Sequence, residues 1–195
     1  DNATLLLISH QPSALLPTIR SRCRTLRLGT LSPEDMTLAM TQSGVAADAN
    51  ASALAELSGG SVGGAMSLSL AGGLEIYGEL VALLSTLPQF DRARGLKLAE
   101  AAAARGADST RALLFDLLDI LLARLARTGA TGTPPLIEAA PGETEMMARL
   151  SPSPQQGRIW ADQSAQLSPT DIRLGACAML IQKASVVCPE SVRPL

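Results

Sequence analysis

Four arginines and one cysteine crowd the stretch LLPTIRSRCRTLRL, residues 15–28, in a chain with a formal net charge of −2. A guanidinium is planar, permanently charged and able to fork onto two oxygens of one carboxylate or phosphate. Arg20, Arg22, Arg24 and Arg27 therefore read either as an anion-directed group or as a solvated basic face. Other chemistry is scarce. His10 is the single histidine, which leaves no His-based metal cluster or triad. Cys23, Cys177 and Cys188 are odd in number and lack CxxC spacing, so neither a disulfide framework nor a zinc site can be read from them. Each cysteine reads as a small buried hydrophobe. No nucleophile, base and orienter can be assembled, so an independent enzyme is the weakest reading and neither cofactor nor metal is expected.

The elements that must carry these residues follow from composition and periodicity. At 195 residues, 47% hydrophobic and 17% charged, the chain can bury a real core and fits one or two domains. The slightly acidic balance argues against a wide nucleic-acid groove. No apolar run is long enough to cross a bilayer and the N-terminus lacks a basic-then-apolar signal layout, so a cytoplasmic chain is expected. Only the start of the sequence is strand-like: residues 5–8 are continuously apolar and residues 25–28 alternate, with a short helix over 13–20 interrupted by Pro17.

Beyond Leu31 everything reads helical, giving a mainly α fold. Ser32, Pro33, Glu34 and Asp35 form a strong start signal for a helix that runs to about Gln42 and stops near Gly44. Asp48 is expected to cap a second helix, with Ala51, Leu54 and Leu57 on one side and Gly59 and Gly60 at its end; a third begins at Ser61. Leu80, Leu83, Leu84 and Leu87 make one stripe, and Leu96, Leu98 and the alanines to Ala104 another helix. Between Asp108 and Arg127, seven leucines from Leu113 to Leu125 form a stripe too broad for one neighbour, so this helix should be central or lie at a subunit contact. Residues 129–142 read as a Gly/Thr/Pro-rich loop, followed by helices around Trp160 and after Ser168, Pro169 and Asp171, with a frayed tail from Pro189.

Two apolar strands cannot make a stable sheet by themselves, so the chain looks like part of a longer one. The segment LLLISHQPSALLPTIRSRCRTLRL, residues 5–28, resembles the end of the nucleotide-binding domain of AAA+ clamp-loader subunits. In that family a core strand leads to the sensor 1 position, then a helix, a Ser-Arg-Cys motif and the last strand. The resemblance makes Ser21, Arg22 and Cys23 that motif and Arg22 an arginine finger for a neighbour's nucleotide, where a guanidinium can bridge γ-phosphate oxygens. Arg20, Arg24 and Arg27 keep the solvated-face reading.

A second stretch, LSGGSVGGAMSL, residues 57–68, resembles the start of the family's lid helix. ATP-hydrolysing members place the sensor 2 arginine two residues after a Gly-Ser pair; counting from Gly60 and Ser61, that place holds Gly63. Sensor 1 falls on Ser9 or His10, where ATPase members usually carry Thr or Asn. The resemblance thus implies a subunit that hydrolyses no ATP itself and acts in trans within the DNA polymerase III holoenzyme. It also implies three regions: 1–30, a remnant of the α/β nucleotide-binding domain with two short strands; 31–72, a three-helix lid; and 73–195, an all-α collar that joins a ring. Expected partners are gamma or tau and delta clamp-loader subunits, ATP bound by a neighbour, and primed DNA and the sliding clamp through the complex. The phosphate loop and any zinc module are expected upstream of Asp1. Two alternatives stand beside this: an ATP-hydrolysing gamma or tau subunit, which needs an arginine near Gly63, and a helical interaction module unrelated to ATP.

Overall fold

A computed structural model describes residues 4–9, 11–44, 50–104 and 107–166, and among them the fold is mainly α, without strands. Two compact units, Asp1–Thr30 and Leu31–Leu195, are distinguished.

In Asp1–Thr30 the helical stretch expected over 13–20 is divided by its prolines. A 3-10 turn, Pro12–Ala14, is followed by a one-turn helix α1, Pro17–Arg20, each opening on a proline at its first position. Among the described residues the two expected strands are not present: residues 5–8 and 24–30 have no regular secondary structure. A strand exists only as one side of a hydrogen-bonded pair, and among the described residues no backbone partner pairs with either segment. Leu5, Leu6, Ile8, Leu26 and Leu28 are accordingly exposed.

In Leu31–Leu195 the first three helices lie where capping chemistry puts them. Helix α2 is Pro33–Gln42; the Ser32 hydroxyl accepts from the Asp35 amide at 3.1 Å, and the chain turns left-handed at Gly44. Met36 and Met40, one turn apart, are its buried face. Helix α3 is Ala51–Leu57, burying Ala51, Leu54, Ala55 and Leu57; its expected cap, Asp48, lies outside the described residues. Helix α4, Val62–Leu70, is capped by Ser61, which accepts from Gly64 N at 3.3 Å.

Gly72, at φ +67°, turns the chain into α5, Gly73–Ser85. A Cβ at Gly73 would lie 2.9 Å from the Leu68 side chain, so the corner between α4 and α5 admits only glycine without a shift. Tyr77, Leu80, Val81 and Leu84 form the buried face of α5. Helix α6, Arg92–Ala103, forms where the alanine-rich stretch was expected to be helical and is capped by Asp91; Leu98 packs against the core while Leu96 stands 60% exposed.

Helix α7, Asp108–Thr131, is the axis of the remainder and packs against α5, α6, α8 and α9. Leu114, Leu117, Leu118, Leu121, Leu122 and Leu125 are all buried within the chain, which selects the central position over the subunit contact for this stripe. Helix α7 also runs past the expected loop start. Gly129 is buried in its last turns because α9, Pro154–Ala165, crosses there: a Cβ on Gly129 would lie 2.7 Å from Gly157 Cα, and one on Gly157 would lie 2.8 Å from the Ala126 carbonyl oxygen. Between them lies a helix that periodicity did not mark, α8, Glu143–Leu150, burying Glu143, Met146, Met147 and Leu150. Trp160 on α9 is buried and donates its indole N–H to the Leu150 carbonyl at 3.1 Å. The helix expected after Ser168, the cysteines at 177 and 188 and the tail from Pro189 lie outside the described residues. No single described helix is long and apolar enough to cross a membrane.

Candidate functional site

The Ser-Arg-Cys segment begins where α1 ends. Proline at position 17 starts the turn; four residues later the Ser21 amide donates to the Pro17 carbonyl at 2.9 Å, and its hydroxyl donates to the Thr18 carbonyl at 3.2 Å. The Arg22 and Cys23 amides both donate to the Ile19 carbonyl at 3.1 Å, one a tight turn and the other the last helical bond. Three consecutive amides are thus spent on the backbone of one turn. The side chains of Arg22 and Cys23 are left outside it, both exposed, Cys23 as a free thiol.

Arg20, Arg24 and Arg27 are exposed as well, and no described carboxylate lies within ion-pair distance of any of the four arginines. They are four of the 16 basic residues, and Asp1 is the one acidic residue of the first thirty, so this unit carries +4 − 1 = +3 while the rest of the chain carries −2 − 3 = −5. The arrangement can present a guanidinium to an external anion with no partner among the described carboxylates competing for it. It cannot by itself activate a nucleophile or move a proton.

His10 lies outside the described residues, and Ser9, its alternative at sensor 1, is half-buried without an assigned element. Gly63 occupies the first turn of α4, exposed, with no atom within 4 Å of where a Cβ would sit. Space is therefore not what keeps a side chain from this position. Among the described residues no group of three or more His, Cys, Asp or Glu side chains is gathered as a metal site.

A buried polar cluster among the described residues was not anticipated. Glu143, fully buried at the start of α8, accepts from Tyr77 Oη at 2.5 Å and from Arg124 Nε at 2.8 Å through Oε1, and from the Ala139 amide at 2.7 Å through Oε2. Arg124, on α7, spends its other nitrogens on Glu56 Oε1 of α3 at 2.6 Å and on the Ile137 carbonyl at 3.0 Å. Burial, reinforced by the Glu143 carboxylate, holds the Tyr77 phenol far above its ordinary range. Burial weighs against the Arg124 charge, but the facing Tyr77, Glu143 and Glu56 oxygens outweigh it and raise its pKa further.

This cluster ties α3, α5, α7, α8 and the 132–142 connection together, and its groups are occupied with one another. It is internal cross-linking chemistry. A signal for it was present in the leucine stripe, where Arg124 stands three residues after Leu121 and seven after Leu117, a charge on the apolar face of a helix. Comparison with protein-family models, with curated proteins and with solved structures finds no match to this chain.

Proposed function

We propose that this chain belongs to a non-hydrolysing, delta-prime-type subunit of the bacterial DNA polymerase III clamp loader, which lends Arg22 in trans to the ATP site of a neighbouring gamma or tau subunit. The observation that carries the reading is the Ser21–Arg22–Cys23 turn: its amides are consumed by α1, and it projects an exposed guanidinium with no carboxylate partner among the described residues. An arginine finger must arrive at a foreign phosphate unpaired, because an internal carboxylate would have to be displaced first. Glycine at position 63 supports the non-hydrolysing role, since it supplies no cation where ATPase members of the family carry one. On this reading residues 31–72 are the lid and 73–195 the collar, the complex works in the cytoplasm with delta, primed DNA and the sliding clamp, and the chain alone performs no catalysis.

The test is Arg22→Ala in the full subunit, reassembled with its partners. Trans-acting fingers contribute roughly 10³ to 10⁵ in turnover at the site they serve, and one site among several gives a smaller net fall. DNA-stimulated ATP hydrolysis and clamp loading are expected to slow while assembly is retained. Arg22→Lys restores only part of the rate, because an ammonium cannot fork onto two oxygens. Arg24→Ala and Arg27→Ala are expected to be near neutral. If all three alanine variants behave alike, the cluster is a diffuse basic patch and the assignment fails.

A further inference from the structure

Within Leu31–Leu195, helices α2–α4 and helices α5–α9 meet along a seam of unequal construction. The strongest backbone packing across it is between the consecutive helices α4 and α5, which are bent by 79° to one another at the corner formed by Ala71 and the left-handed Gly72. The remaining apolar contact belongs to one continuous core, in which Leu54, Leu57, Ala65 and Leu68 join Tyr77, Leu80 and Val81. Apolar burial is non-directional: it opposes separation but does little to fix an angle. What spans the seam with direction is the bond from Arg124 on α7 to Glu56 on α3.

The two ends of that bond are held very differently. Arg124 is 5% exposed and stays anchored, through Nε to the fully buried Glu143 and through its third nitrogen to the Ile137 carbonyl, whether or not Glu56 is present. Glu56 has a side-chain exposure of 31%, and no other side-chain bond is described for it. One end is therefore fixed in the core, and the other can exchange its partner for water at modest cost, because a group already reached by solvent loses little hydration when it pairs.

We infer that Glu56–Arg124 is a releasable latch and the 71–73 corner its hinge, so that α2–α4 can pivot on α5–α9 without either bundle unfolding. Closed, the bond sets the angle between the bundles. Open, Arg124 keeps its internal bonds and Glu56 is solvated. Competing ions favour the open arrangement, since a partly exposed ion pair is weakened by salt whereas the buried Arg124–Glu143 pair is screened far less. The inference rests on Leu31–Leu195 alone and is independent of the role proposed for Arg22.

The test uses the isolated chain with its three cysteines replaced by serine and spin labels placed at Thr41→Cys on α2 and Arg158→Cys on α9, both exposed positions. At low salt a single narrow distance distribution is expected. In Glu56→Gln the population of a second, distinct distance is expected to rise about tenfold, the factor for losing the charge of one charge-assisted hydrogen bond, with unchanged helical circular dichroism. Glu56→Asp, which keeps the charge, falls between the two. The parent chain taken to ~1 M salt moves towards the Glu56→Gln distribution, whereas Glu56→Gln itself is insensitive to salt. Identical distributions in the parent and Glu56→Gln overturn the latch. Should that variant fail to fold, the salt series on the parent chain still decides, and a distribution that does not move with salt overturns the inference.

Discussion

Arg22 and Arg124 have the same side chain and opposite fates. Arg22 leaves a one-turn helix with its guanidinium exposed, while Arg124 is enclosed by two carboxylates and a carbonyl. The difference is set by what surrounds each in sequence: Arg22 follows a helix with no buried residue, and Arg124 stands inside the leucine face of α7. Removing one partner of the buried pair strands the other as an uncompensated charge, so Arg124→Met is expected to lower stability by about 3–5 kcal/mol in a denaturant titration. Tyr77 gives an optical check on the same cluster, because it is the single tyrosine of the chain. Its folded pKa is raised above that of an unfolded tyrosine, chiefly by burial and then by Glu143. The stability it contributes is therefore complete below about pH 10, where both states keep the proton, and is lost as pH rises towards the folded pKa. Tyrosinate absorbance at 295 nm is expected to stay flat through pH 10 in the folded chain and to appear together with alkaline unfolding. A gradual tyrosinate rise near pH 10 with the fold intact would show the phenol to be accessible and the cluster open.

At the scale of elements, local chemistry was a good guide wherever a cap or a stripe acts on its own helix. Ser32 with Asp35, Ser61 with Gly64 and the leucines of α7 are of that kind. It failed where a distant segment decides. Gly129 reads as a helix breaker, yet α7 continues through it because the backbone of α9 lies against it and a side chain there would collide. Helix α8 has too short a period to announce itself; its reason is Glu143, whose carboxylate needs the Tyr77 and Arg124 donors that come from 66 and 19 residues away. The arginine cluster stands out in the sequence by its motif, whereas the buried cluster required the fold. Gly157→Ala tests the crossing directly. Its methyl would meet the Ala126 carbonyl oxygen at 2.8 Å and Ala130 N at 3.0 Å, backbone atoms that cannot rotate away. An overpacking cost of about 1–3 kcal/mol is expected, read as a lower urea midpoint with an unchanged slope. Gly132→Ala is a different case: no atom lies within 4 Å of the new methyl, so its cost comes only from the left-handed backbone at φ +70°.

For the molecule as a whole, the proposed trans role carries an expectation about nucleotide binding. By sequence, residues 1–30 carry +3 and the rest of the chain −5; Arg22 is exposed without a carboxylate partner among the described residues, and the first turn of α4 holds Gly63. P-loop proteins cradle the phosphates of a nucleoside triphosphate in backbone amides of a glycine-rich loop and meet them with a lysine, and the 195 residues contain no GxxxxGK[ST] arrangement. Arg22 alone, on an exposed turn, offers one charge-assisted contact to a ligand that must give up the hydration of three phosphates. Isothermal titration of the chain with magnesium ATP is therefore expected to give only dilution heat, and the melting temperature is expected to be unaffected by the nucleotide, since a ligand that does not bind the folded state cannot stabilise it. Saturable heat with a stoichiometry near one would place a nucleotide site inside this chain. Arg22 would then be acting in cis, and the reading of a finger lent to a neighbour would fall with it.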